Sequence, residues 1–287
     1  MNAAAAGPGV VTDSTSDLEA AWARRYGIDV VPLFVNFGEQ RFRDEVDLTR
    51  AEFYARLGTC GVLPTTSQPT AAMFEEAYRP YVESGRDIVS VHIAQELSGT
   101  INAARAAAAQ FPGARIELID SRTTSGGLAL LTIRAGQLAQ RGVGTDAIVA
   151  AVTRDSENEA GFVALPDLSH PVRTGRVSRA QAAIGGLLKI VPVLRFGNGA
   201  VEVEGRVRTF ARAQETLVES TLRVIGDVAR SRILVIHAHA LEGARALQAQ
   251  LRGRLEAEPE FFEVAEAGPA IAAHSGQGAL AIFSVAG

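Results

Sequence analysis

The chain has 287 residues, 47% of them apolar and 21% charged, with a net charge of −4 and a mean hydropathy of +0.11. That balance describes a globular chain with room for a large core and two domains, and its acidity argues against a general nucleic-acid binder. A single cysteine, Cys60, excludes an internal disulfide and cysteine-based zinc sites, and fits a reducing, cytoplasmic setting.

The first residues, Met-Asn-Ala-Ala-Ala-Ala, carry no basic group and read as a frayed tail, not a signal peptide. The longest uncharged apolar run, near residues 126–133, is too short to cross a bilayer. Residues 9–12 read as a first strand, followed by Asp-Ser-Thr-Ser-Asp at 13–17 and a helix to about Tyr26. Residues 28–37 are predicted as one strand, apolar enough to be buried on both faces. Residues 47–58 suit a helix with Thr49 and Glu52 at capping-box spacing and Gly58 as its stop.

Residues 64–70 read Pro-Thr-Thr-Ser-Gln-Pro-Thr and are predicted to form a rigid, outward-facing turn, because proline fixes φ and restricts its predecessor. The helix after it is expected to bend or end near Pro80. Strands at 87–93 and 115–119 each lead into a loop rich in Ser, Thr or Gly that opens a helix. This alternation predicts a parallel sheet with helices on its faces.

From about residue 158 the texture changes. A strand at 161–168, a short helix at 178–188 and strands at 189–196 and 200–208 are expected, the last two joined by the hairpin signal Gly-Asn-Gly at 197–199. A long helix to about Ala229, a strand at 233–238, a helix to about Leu255, a strand at 261–267 and a closing strand at 280–285 complete the chain. The predicted fold class is α/β in two domains: residues 1–157 with a parallel sheet flanked by helices, and residues 158–287 as a mixed α/β domain with a hairpin. Between Arg173 and Arg212 eight basic residues stand against Glu202 and Glu204. The default reading of that run is a solvated face, the functional one a patch for an acidic partner or a phosphate.

Ligands of open α/β sheets sit beyond the carboxyl ends of the strands, so Thr15, Thr66, Ser98, Thr100 and Ser125 are expected to converge on one crevice. Hydroxyls and helix N-termini with little cationic charge suit one carboxylate better than a polyphosphate. No strand is followed by a P-loop or a Gly-x-Gly-x-x-Gly. His274, in the turn His-Ser-Gly-Gln-Gly, is the histidine best placed to join that crevice, where an imidazolium would meet a carboxylate. The alternative is a serine-dependent acyl hydrolase using Ser98 and His274, although neither Ser98 nor Ser67 stands in Gly-x-Ser-x-Gly.

Taken together, Val-Thr-Asp-Ser-Thr-Ser-Asp-Leu, Thr-Ser-Gln-Pro, Leu-Ser-Gly-Thr, Thr-Gly-Arg-Val-Ser, Leu-Lys-Ile-Val-Pro-Val-Leu and His-Ser-Gly-Gln-Gly-Ala-Leu resemble the DegV family, in the family's order and across almost the whole chain. The resemblance implies a bacterial lipid-binding protein, similar to the fatty-acid-binding (FakB) subunits of fatty acid kinase, with no catalysis and no cofactor of its own. A long-chain fatty acid would lie between the two domains, its carboxylate held by Thr66, Ser98 and His274. Asp13, Ser14, Thr15, Ser67, Gly99, Thr100, Ser125 and Gly126 are expected to complete the pocket. The implied partner is an ATP-dependent kinase subunit docking at Arg176 and Arg208. The expected state is a cytoplasmic monomer with transient membrane contact and no nucleic acid. The chain departs from the family's usual pattern at Thr174, where a glycine is common, and at Val191, where a lysine often precedes the proline.

Overall fold

The computed structural model describes residues 7–177 and 190–287. The N-terminal tail at 1–6, the expected helix at 178–188 and Lys189 lie outside the described residues.

Strands β1 (Gly9–Asp13), β2 (Ile28–Val31), β6 (Ile88–His92) and β7 (Ile116–Asp120) form a fully parallel sheet in the order β2-β1-β6-β7, as the alternating pattern predicts. Side chains alternate across it: Val11, Val31 and Ile88 pack under α3 (Ala71–Glu83) and α4 (Thr100–Ala108), while Val10, Ile28, Val89 and Val91 point the other way. On that second side lie α1 (Ala20–Tyr26), α5 (Ser125–Gln140) and α6 (Thr145–Glu157).

Two expectations for this half are corrected. Residues 28–37 are not one strand. Pro32 separates β2 from β3 (Phe34–Phe37), and β3 leaves the parallel sheet to sit between β4 (Gln40–Arg43) and β5 (Thr65–Ser67) in a small antiparallel sheet. The supposed turn at 64–70 is therefore partly a strand, with Thr66 opposite Val35. The helix that contains Pro80 ends close after it, at Glu83, and α2 (Arg50–Leu57) carries the expected Thr49–Glu52 capping box.

The rest of the chain builds a six-stranded mixed sheet from β8 (Glu159–Ala164), β9 (Val191–Gly197), β10 (Ala200–Val207), β11 (Arg232–His237), β12 (Phe261–Glu266) and β13 (Leu280–Val285), in the order β10-β9-β8-β13-β11-β12. Asn198 and Gly199, both at positive φ (54° and 75°), make the predicted hairpin turn between β9 and β10. Helices α8 (Phe210–Val224) and α9 (Leu241–Arg252) cover one face.

The other face meets α5, which touches β1 and β6 on one side and β8, β11 and β13 on the other. Its apolar residues run all round the helix, as expected for one buried between two sheets. The core is thus layered, and its middle layer holds residues of both sheets. Short helices α7 (Ser169–Thr174) and α10 (Pro269–Ser275) pack against each other at the edge of that layer. Among the described residues no helix is long and apolar enough to cross a membrane.

Candidate functional site

The middle layer contains a cavity of about 540 Å³. Val163, Leu165, Leu194, Phe196, Ile236 and Phe283, all from the six-stranded sheet or its immediate continuation, give it an apolar wall. Its polar lining comes from Thr15, residues 66–68 on and after β5, residues 95–99 after β6, Thr124 and Ser125 at the start of α5, Arg176, and His274 and Ser275 at the end of α10. Cavities of this size and character hold small organic ligands oriented by a few polar groups.

Thr66 and His274 are joined directly, Oγ1 to Nε2, at 2.7 Å. The contact has two proton arrangements. With Nε2 protonated, the ring donates to Thr66 and leaves the threonine proton free for a guest; with Nδ1 protonated, the threonine proton is consumed by the ring. An anionic guest selects the first. Burial, reinforced by the Arg176 guanidinium and His170, pushes the His274 imidazole down to about 4. Desolvation thus favours the neutral ring, and the expected imidazolium would need a carboxylate beside it to offset that cost.

Ser98 has a similar backing. Its Oγ lies 2.8 Å from Thr100 Oγ1 and accepts the Thr100 N–H at 3.3 Å, so Thr100 can supply the hydrogen and leave the Ser98 proton free. Thr100 itself is fully buried and does not line the cavity. Gly99 lets this loop approach β5: a Cβ there would lie 2.2 Å from Gln68 Oε1. Ser67, Gly99 and Ser125 line the cavity with Thr66, Ser98 and His274.

Other expected pocket residues are placed differently. Asp13 is fully buried away from the cavity and accepts the Thr15 N–H, the Thr15 hydroxyl, the Ile93 N–H and His92 Nδ1. It fixes the loop from which Thr15 reaches the cavity wall. Ser14 Oγ accepts the Leu33 N–H at 3.0 Å and holds the end of β2's connection. Gly126 stands behind the wall, where a Cβ would lie 2.7 Å from the Phe283 ring. Arg176 lines the cavity and is exposed; Arg208 is exposed but does not line it.

Sequence reasoning missed Asp17. It is 1% exposed and at φ 52°, and its carboxylate accepts the Ser125 hydroxyl at 2.5 Å and the Gly268 N–H at 2.7 Å. Asp-Ser-Thr-Ser-Asp shows an acid after a hydroxyl run, but not which distant groups it meets.

The hydrolase alternative finds no support in this geometry, since Ser98 bonds to Thr100 and His274 to Thr66. Ser90, His92 and Asp13 do stand in Ser–His–Asp sequence, at 2.7 and 3.0 Å, with Tyr78 behind Ser90 at 2.8 Å. All three are fully buried and none lines the cavity, so this chain of bonds organises the sheet and not a substrate.

Residues 8–287 match the family model described as "Uncharacterised protein, DegV family". A DegV domain-containing protein from Halalkalibacterium halodurans is 32% identical over 274 residues, covering 95% of this chain and 96% of its own. A DegV family protein from Thermus thermophilus, whose structure is described as showing fatty acid binding, is 32% identical with a TM-score of 0.90, covering 98% of this chain and 99% of its own. DegV of Bacillus subtilis, described as a fatty acid binding protein, is 29% identical with a TM-score of 0.88, covering 99% and 100%.

Proposed function

The chain belongs to the DegV family, and on that footing we propose that it binds a long-chain fatty acid in the cavity between its two sheets and offers the carboxylate to an ATP-dependent kinase subunit. The observation that carries the reading is the Thr66–His274 pair on the polar side of a cavity whose opposite wall is apolar. An acyl chain gains about 0.8 kcal/mol for each CH₂ it buries, so tail burial supplies the affinity and the headgroup needs only orientation. Thr66, Ser98 and His274 supply that orientation from neutral donors, and Thr15, Ser67, Gly99 and Ser125 complete the wall. Residues 1–157 and 158–287 are the two domains that enclose the ligand.

Neutral donors matter for the next step. A carboxylate paired with a full cation loses nucleophilicity; one held by hydroxyls keeps it. Its free oxygen attacks the γ-phosphorus of ATP bound to the partner, the bond to the β-phosphate oxygen breaks, ADP departs, and an acyl phosphate remains in the cavity. The chain acts as carrier and not as catalyst, with Arg176 at the cavity and Arg208 beyond it receiving the partner. In this reading the protein works in the cytoplasm as a monomer and meets membrane lipid only transiently.

Denaturing mass spectrometry of the purified protein tests the first half. Stoichiometric release of C14–C20 fatty acids is expected; release of no lipid, or of a lipid without a free carboxylate, overturns the reading.

A further inference from the structure

Three segments far apart in the chain converge on one side chain. Asp17 follows β1, Ser125 is the first residue of α5, and Gly268 is the residue before α10. The two carboxylate oxygens of Asp17 divide between them, one accepting from Ser125 and the other from Gly268. Both partners stand where a helix begins.

What these helices carry matters. Ser125 lines the cavity itself, and α10 presents Ala270, Ile271, His274 and Ser275 to it. Gly268 precedes His274 by six residues, about 9 Å along a helix. A hydrogen bond at that end therefore sets where the imidazole arrives opposite Thr66. Arg50 ties the same two segments again, donating to the carbonyls of Asp17 and Glu266 at 3.3 and 2.7 Å, and the Tyr54 hydroxyl donates to Ala267 at 3.0 Å. Anchors from outside α10 thus hold its entry, and Asp17 links that entry to the start of α5 through one carboxylate.

We infer that Asp17 is a positioning residue for the headgroup site, holding the starts of α5 and α10 together so that His274 meets Thr66. This rests on the fatty-acid reading above, and it concerns the headgroup alone: Asp17 does not line the cavity. Loss of its bonds is expected to loosen the grip on a carboxylate and leave the acyl wall intact.

The test compares palmitic acid with 1-hexadecanol, which has the same chain and no carboxylate, by displacement of a fluorescent fatty acid from wild type and from Asp17→Asn. The amide keeps one acceptor oxygen and turns a donor toward the other partner. Palmitic acid is expected to bind about tenfold more weakly to the variant, and the alcohol within about twofold of wild type. An equal loss for both ligands would mark Asp17 as merely structural, and no loss for either would also overturn the inference. Should wild type bind the acid no better than the alcohol, the headgroup site itself falls, a result distinguishable because it does not involve the variant. If Asp17→Asn does not fold, Ser125→Ala removes one of the same bonds: a loss confined to the acid, about threefold, is expected, and a uniform or absent loss counts against the role. Where both variants fold, the double variant should be no worse than Asp17→Asn in its loss of acid binding; full additivity would place Ser125 outside this bond.

Discussion

Thr66 and His274 stand 208 positions apart in the chain and meet at 2.7 Å on the polar side of a cavity whose opposite wall is apolar. A three-residue strand and a seven-residue helix bring them there. Neither element would hold its shape alone, so the pairing is a product of the packed layers around it.

The two residues are not equivalent. Thr66→Val deletes the hydroxyl that faces the guest, and fatty-acid affinity should fall by roughly tenfold to a hundredfold, the range for a hydrogen bond to a charged group. His274→Ala should weaken binding less, because Thr66 keeps a proton to donate. Isothermal titration with palmitic acid separates the cases; a larger effect at His274 would mean that the ring, not the hydroxyl, holds the headgroup.

A carboxylate arriving beside His274 favours the protonated ring, raising its affinity for a proton from the low value of about 4 that burial imposes. Binding should therefore be accompanied by proton uptake that is small at pH 8 and grows as the pH falls toward 5. Calorimetry in two buffers of different ionisation enthalpy measures this directly. Uptake that survives in His274→Ala would have to come from another group.

Burial pushes the Asp44 and Glu159 carboxyls up to about 8, against ordinary values of 3.8 and 4.5. Across that window the folded chain holds more protons than the unfolded one, so stability falls as pH rises. His274, depressed from 6.5, acts with the opposite sign and only below its ordinary value. Thermal melts at pH 6.5 and 8.5 isolate the carboxyls: the melting temperature should drop at the higher pH, and Asp44→Asn should reduce the drop. A rise would contradict the burial argument.

Gly99→Ala would bring a methyl group against the Gln68 side chain, whose flexible end can yield. A modest loss of fatty-acid affinity is expected, with recovery when Gln68→Ala is added. Failure of the second change to restore binding would show that the loop backbone, and not this contact, sets the spacing of Ser98 from Thr66.

Arg208 is exposed and does not line the cavity, so Arg208→Glu should leave fatty-acid binding unchanged and slow ATP-dependent formation of acyl phosphate by the kinase subunit. Binding and phosphorylation assays on the same preparation decide it. A parallel loss of both would assign the arginine to the fold or the pocket.

Short-range chemistry makes much of this protein legible from the order of its residues. The βα alternation announces a parallel sheet, Asn198-Gly199 announces a hairpin, and Thr49 with Glu52 announces a capped helix, because each depends on residues within a few positions of one another. Ordered motifs likewise single out Thr66, Ser98 and His274. Where the answer lies in distant partners, the sequence is silent or misleading. Residues 65–67 look like a turn until β3 lies beside them, and Asp13 looks like a ligand until His92, 79 positions away, turns toward it. Asp17 carries no local mark of its bonds to Ser125 and Gly268, and the neutrality of His274 follows from how much water packing removes from around it. Backbone conformation is decided largely by neighbours in the chain; desolvation and long-range hydrogen bonding exist only once the layers have closed.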